Sequence, residues 1–93
     1  MNKSISQKIE NAINLLKTSD IPESIGGFVP DIIEVLKEMR DADQLASAEK
    51  SQLVGALFKL VTEDYEFAQT TLAKNVLEVG DEFLDAAERE SDS

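Results

Sequence analysis

Between Glu63 and Glu88 the apolar residues Tyr65, Ala68, Leu72, Val76, Val79, Phe83 and Ala87 recur at steps of three and four, with no proline and one glycine among them. That spacing returns side chains to one face of an α-helix at every turn. A strand would need alternation at every second residue, which is missing. The simplest reading is one helix of about 26 residues over 63–88, with Thr62 as its N-cap and Gly80 as the position where it can bend. An apolar stripe of that length must be covered by other elements, and the rest of the chain offers helices to do it.

Ile5, Ile9, Ala12, Ile13 and Leu16 lie on one helical face, and Ser4 with Gln7 has capping-box spacing, so a first helix is predicted over about 5–17. Asp20-Ile21-Pro22-Glu23 can cap a short extra helical turn near 20–25, which Gly26-Gly27 ends. Phe28 and Val29 are apolar residues in a loop and are expected to fold inward as a plug. Pro30 and Asp31 suit a first helical turn. They open a second helix at about 30–41, with Ile32, Ile33, Leu36 and Met39 buried and Val35 widening the face. Leu45 is expected to insert into the core from the connection that follows. Ser47 begins a third helix at about 47–61, carrying Leu53, Ala56, Leu57, Leu60 and Val61, broadened by Val54 and Phe58. Gly55 inside it costs about 1 kcal/mol relative to alanine, and a close crossing with another helix is the expected reason. Together these spans predict an all-α, four-helix bundle-like domain over 1–93 with a long C-terminal helix and a frayed tail at 89–93.

With 93 residues, one modest core without covalent staples is within reach. The chain has no cysteine and no histidine. Disulfides, thiolate catalysis, zinc sites and histidine-containing di-iron sites are therefore out of reach, and the commonest acid–base catalyst near neutral pH is missing. No run approaches the ~20 apolar residues of a membrane span, and no signal peptide is visible, so a cytoplasmic location is expected. The net charge of −10 would be repelled by phosphate backbones and anionic membranes, which argues against direct binding of nucleic acid or membrane. The acidity is uneven. Residues 1–77 carry twelve acids and eight bases, whereas Glu78, Asp81, Glu82, Asp85, Glu88, Glu90 and Asp92 face a single base, Arg89, in the last sixteen.

Motifs with chemical meaning are weak. The segment from Asp41 to Gln52 has Asp41 and Asp43 where a calcium loop has ligands, but Leu45, Ala46 and Gln52 stand where oxygen ligands and glycine are needed. A solvated connection is the better reading. The carboxylate pairs Glu63-Asp64, Asp81-Glu82 and Glu82 with Asp85 lie on polar faces, not in a cleft where one carboxyl could be held protonated. Some acids have helix-spaced basic neighbours, such as Glu34 with Lys37 and Glu82 with the turn of Arg89. Ser47-Ala48-Glu49-Lys50 matches Ser-x-x-Lys in spacing, but its companion motifs are missing and a helix cap explains it better. Gly26-Gly27 lacks the lysine and strand of a phosphate loop. No catalytic, metal or cofactor residue is therefore expected.

A non-enzymatic protein–protein interaction or regulatory module is the function these residues suggest. The alternative is an acidic inhibitor or nucleic-acid mimic that blocks a basic target. Glu78, Asp81, Glu82, Asp85 and Glu88 form the expected docking face. A homodimer is also expected. A 26-residue helix is about 39 Å long against about 20 Å for a 13-residue one, so Val76, Val79, Phe83, Leu84 and Ala87 would need cover from a second copy.

Overall fold

The steps of three and four along Ile5–Leu16 fold as read: α1 runs Lys3–Thr18, with Ile5, Ile9, Ala12, Ile13 and Leu16 all buried. The computed structural model describes residues 3–19, 27–42 and 45–92. The expected helical turn near 20–25 lies outside them. The helix begins before Ser4, which is therefore not its N-cap, and the Gln7 amide donates to Asn11 Oδ1 at 3.1 Å, one turn further on. At the other end, Thr18 Oγ1 donates to the Asn14 carbonyl at 2.8 Å, supplying one of the donors that a helix terminus needs.

The second helix, α2, is Val29–Arg40, with Pro30 in its first turn as predicted. Ile32, Leu36 and Met39 are buried, while Ile33 and Val35 are half-buried at the edges of that stripe. Phe28 and Val29 pack half-buried against the core, one as N-cap and one as first helical residue. Leu45 departs from expectation. Ala42 continues the inward row one turn beyond Met39 and is buried, the Leu45 amide donates to the Ala42 carbonyl at 3.0 Å, and Leu45 is 37% exposed.

The third helix, α3, spans Ser47–Glu63, with Ala46 and not Ser47 as its N-cap. Its inward row is Lys50, Val54, Leu57 and Val61; Leu53, Phe58 and Leu60 are half-buried and Ala56 is exposed. Gly55 is exposed and a Cβ there would meet nothing within 4 Å, so the expected helix crossing at this glycine is wrong. The crossing lies at Gly80 instead. A Cβ at Gly80 would stand 2.7 Å from Phe58 Cε1 and 3.3 Å from Leu57 Cδ2, so the last helix presses its backbone onto α3 there.

The predicted continuous helix over 63–88 is interrupted. Thr62 is no cap; it sits inside α3 and its hydroxyl donates to the Phe58 carbonyl at 2.8 Å. Asp64 caps a short α4, Tyr65–Ala68, by accepting from the Phe67 amide at 3.2 Å. After the turn at Gln69 and Thr70, α5 runs Thr71–Asp92, with Thr70 Oγ1 accepting from the Ala73 amide at 3.1 Å. Two capping side chains within seven residues stop the helix that the apolar spacing alone would carry through. The interruption also shifts the inward face. Phe67, not Tyr65, is buried, and Tyr65 is 77% exposed. Thr70→Ala removes the α5 cap and is expected to cost about 0.5–2 kcal/mol in urea denaturation; a loss within error would mean that the cap contributes nothing.

The helices pack as a bundle in a closed ring, α1 beside α2, α2 beside α3, α3 beside α5 and α5 beside α1, with α4 wedged against α3 and α5. Two ion pairs cross these seams: Arg40 at the end of α2 meets Glu10 at the middle of α1, and Lys8 of α1 meets Glu82 at the middle of α5. Buried side chains of all five helices form one cluster. The Cα radius of gyration, 12.8 Å, is close to the ~12 Å expected for 93 residues in a compact domain. Among the described residues there is no strand, and no helix is long and apolar enough to cross a membrane.

Candidate functional site

The residues expected to seek a second copy are covered within one chain. Val76, Val79, Phe83 and Ala87 are buried and Leu84 is half-buried. The length argument for self-association fails because α5, at 22 residues, is shorter than predicted, while α1 and α3, at 16 and 17, are longer. Both flank α5: Gly80 meets Phe58 on one side, and Glu82 meets Lys8 on the other. The uncovered stripe on which the dimer rested is therefore absent.

Glu78, Asp81, Glu82, Asp85 and Glu88 are all exposed on α5, as expected for a charged outer face. Two of them have partners. Glu82 accepts from Lys8 Nζ at 2.7 Å, reaching across to α1 and not along its own helix to Arg89. Asp85 is bridged by Arg89 at 3.1 Å, one turn on. Both pairs are well exposed, so they trim the local charge and add little stability.

A second acidic surface lies between α2 and α3. Glu34, Lys37, Glu38 and Asp41 line one side, at helical positions i, i+3, i+4 and i+7, on a face turned away from Ile32, Leu36 and Met39. Glu49, Gln52 and Leu53 line the other side, and Leu45, from the connection between the two helices, is also in the lining. The groove they bound is open to solvent and measures about 850 Å³. Its charge is lopsided, with four carboxylates against Lys37. Arg40 stands at its edge with Nε 3.5 Å from Asp41 Oδ1, but its shorter bond, 2.6 Å, is donated to Glu10 on α1. That hydrogen bond raises the Arg40 pKa above its ordinary value and keeps the guanidinium committed to the α1–α2 seam.

Sequence reasoning missed this groove because its acids were weighed singly. Read singly, Glu34 pairs with Lys37 along one helix, Asp41 is a candidate calcium ligand and Glu49 is one residue of a Ser-x-x-Lys spacing. The available signal was the spacing of Glu34, Glu38 and Asp41, which marks one helical row. Lys50 was missed too. It stands in phase with Val54, Leu57 and Val61 and is only 3% exposed, which makes Ser-x-x-Lys spacing an accident of an inward-facing helix row. Of the loop tested for calcium, Asp41 is exposed and lines the groove, whereas Asp43 lies outside the described residues. Among the described residues no group of three or more acidic side chains is arranged to hold a metal ion.

No known protein family matches the chain, and no curated protein or solved structure is significantly similar to it. What the site can do therefore has to be argued from its own chemistry. Among the described residues it offers four solvated carboxylates along an open groove, with Leu45 and Leu53 in the lining.

Proposed function

We propose that this protein is a non-enzymatic docking module that binds a basic partner protein. The observation that carries the reading is the α2–α3 groove, where Glu34, Glu38, Asp41 and Glu49 surround exposed leucine surface. Apolar contact supplies affinity in such an arrangement, and the surrounding charge selects partners and speeds encounter. An enzyme would need a reacting group held in an unusual environment. The acids of this groove are solvated and spread along two helices instead. The absence of histidine and cysteine points the same way.

The rival reading, an acidic inhibitor that occupies the nucleic-acid-binding surface of a target, draws on the row Glu78, Asp81, Glu82, Asp85 and Glu88. It is the weaker of the two because Lys8 and Arg89 already engage Glu82 and Asp85. The two readings separate by experiment. Immobilised protein is exposed to lysate of its native host, the bound proteins are released by stepwise salt, and each is retested in pure form with and without competing duplex DNA. The docking reading predicts a basic partner whose affinity falls with salt, as exposed charges are screened beyond ~10 Å at 0.1 M, and whose binding DNA does not displace. Displacement by DNA would favour the inhibitor. A partner whose binding ignores salt would overturn both.

A further inference from the structure

Resting on the docking reading, the groove also restricts the shape of what enters it. We infer that the α2–α3 groove takes a helical segment of a partner protein. That segment carries Lys or Arg at positions i, i+4 and i+7, with one or two leucine-like side chains between them and the groove floor. Charge complementarity is the first argument. Four carboxylates, Glu34, Glu38, Asp41 and Glu49, rim the groove, and only Lys37 lies among them. A cationic segment gains from Glu34, Glu38 and Glu49, less from Asp41, which Arg40 touches at 3.5 Å, and is opposed by Lys37.

Spacing is the second argument. Glu34 and Glu38 of α2 and Asp41 at its C-cap are spread over seven residue steps, about 10.5 Å along the helix axis. A partner helix laid beside α2 presents residues i, i+4 and i+7 over the same ~10.5 Å. An extended strand presents same-side residues every ~6.7 Å and drifts out of step by the third. An extended peptide also brings unpaired backbone groups, which other folds satisfy at a sheet edge; no strand exists among the described residues to offer one. A helix satisfies its own backbone and needs only side-chain contact. The lining supplies that contact: Leu45 is 37% exposed and Leu53 is half-buried, so both have surface left to cover. The groove's volume of about 850 Å³ is near the upper end of the ~300–1,000 Å³ of small-molecule sites. However, it is open to solvent, whereas such sites enclose most of their ligand, and this suits a helix lying against it better than a small molecule.

The test uses the full chain and synthetic peptides of 14 residues. The probe is an amphipathic helix with Lys at i, i+4 and i+7 and Leu on the intervening face. One control replaces the lysines with Glu, and another keeps the lysines but has a central Pro that prevents a continuous helix. Binding is followed by fluorescence anisotropy at low and moderate salt. The native protein should bind the probe and reject both controls. Glu34→Lys with Glu38→Lys should weaken binding by about tenfold or more, through loss of attraction and gain of repulsion. Leu45→Ser should weaken it with the salt dependence unchanged. Asp81→Lys with Glu88→Lys, on α5, should change it less than about twofold, since α5 contributes no residue to the groove lining. All three sites are exposed, and circular dichroism checks that the variants keep the native fold. Loss of binding with the α5 variant but not the α2 variant would overturn the groove and leave the docking reading standing. Equal binding of the Pro-containing peptide would overturn the helical occupant. No binding of the probe to the native protein would overturn the inference, and the lysate experiment then decides the docking reading separately.

Discussion

Phe67→Ala is expected to destabilise this protein by about 3–5 kcal/mol, as removal of a fully buried aromatic side chain commonly does, whereas Tyr65→Ala is expected to change stability by less than about 0.5 kcal/mol. The two residues are neighbours on the same short helix. Phe67 is buried and Tyr65 is 77% exposed because the caps at Asp64 and Thr70 interrupt the helix and reset its face. For a domain whose whole stability is of order 5–15 kcal/mol, the first loss is a large share and the second is near the error of measurement. Urea denaturation followed by circular dichroism reads both. Were the chain one unbroken helix over 63–88, the order would reverse, with Tyr65 in the apolar stripe and Phe67 turned away from it. A larger effect at Tyr65 would therefore contradict the break.

The two helical glycines give the second large contrast. Gly55 lies on an exposed face with open space around its missing Cβ, so Gly55→Ala should stabilise by about 1 kcal/mol through helix propensity. Gly80 is where α5 comes down on α3, and a side chain there would drive into the ring of Phe58 and the methyl of Leu57. Gly80→Leu should cost about 1–3 kcal/mol from overpacking, more than propensity returns. In a domain of this size each kcal/mol moves Tm by about 4–8 °C, so the two variants should melt on opposite sides of the native protein. The same direction of shift in both would mean that the crossing is misplaced.

Much of the bundle was legible in the residues, and the failures have physical causes. The faces of α1 and α2 could be read because Ile5, Ile9, Ile13 and Leu16, and Ile32, Leu36 and Met39, form clean stripes with polar residues opposite. In α3 the apolar residues surround too much of the helix for spacing to select a face. Ala56 was wrongly placed inside, and Lys50 was overlooked although it shares the buried row. Apolar periodicity carried the last helix through Gln69 because capping by Asp64 and Thr70 is a local hydrogen-bond choice that periodicity does not record. The crossing falls at Gly80 and not at Gly55 for a related reason: a crossing belongs to the pair of helices, and neither helix encodes it alone. The acidic groove depended on the packing of α2 beside α3. One rim could be read from Glu34, Glu38 and Asp41, but the opposite rim and the exposed Leu45 could not.

Amide chemical-shift mapping locates partner binding on the protein itself. Uniformly ¹⁵N-labelled protein is titrated with the lysine-bearing helical peptide, and the shifted amides are assigned. With binding in the α2–α3 groove, the largest changes are expected at Glu34, Glu38, Asp41, Leu45, Glu49 and Leu53, with α5 little affected. Changes concentrated at Glu78, Asp81, Asp85 and Glu88, with the groove silent, would contradict it.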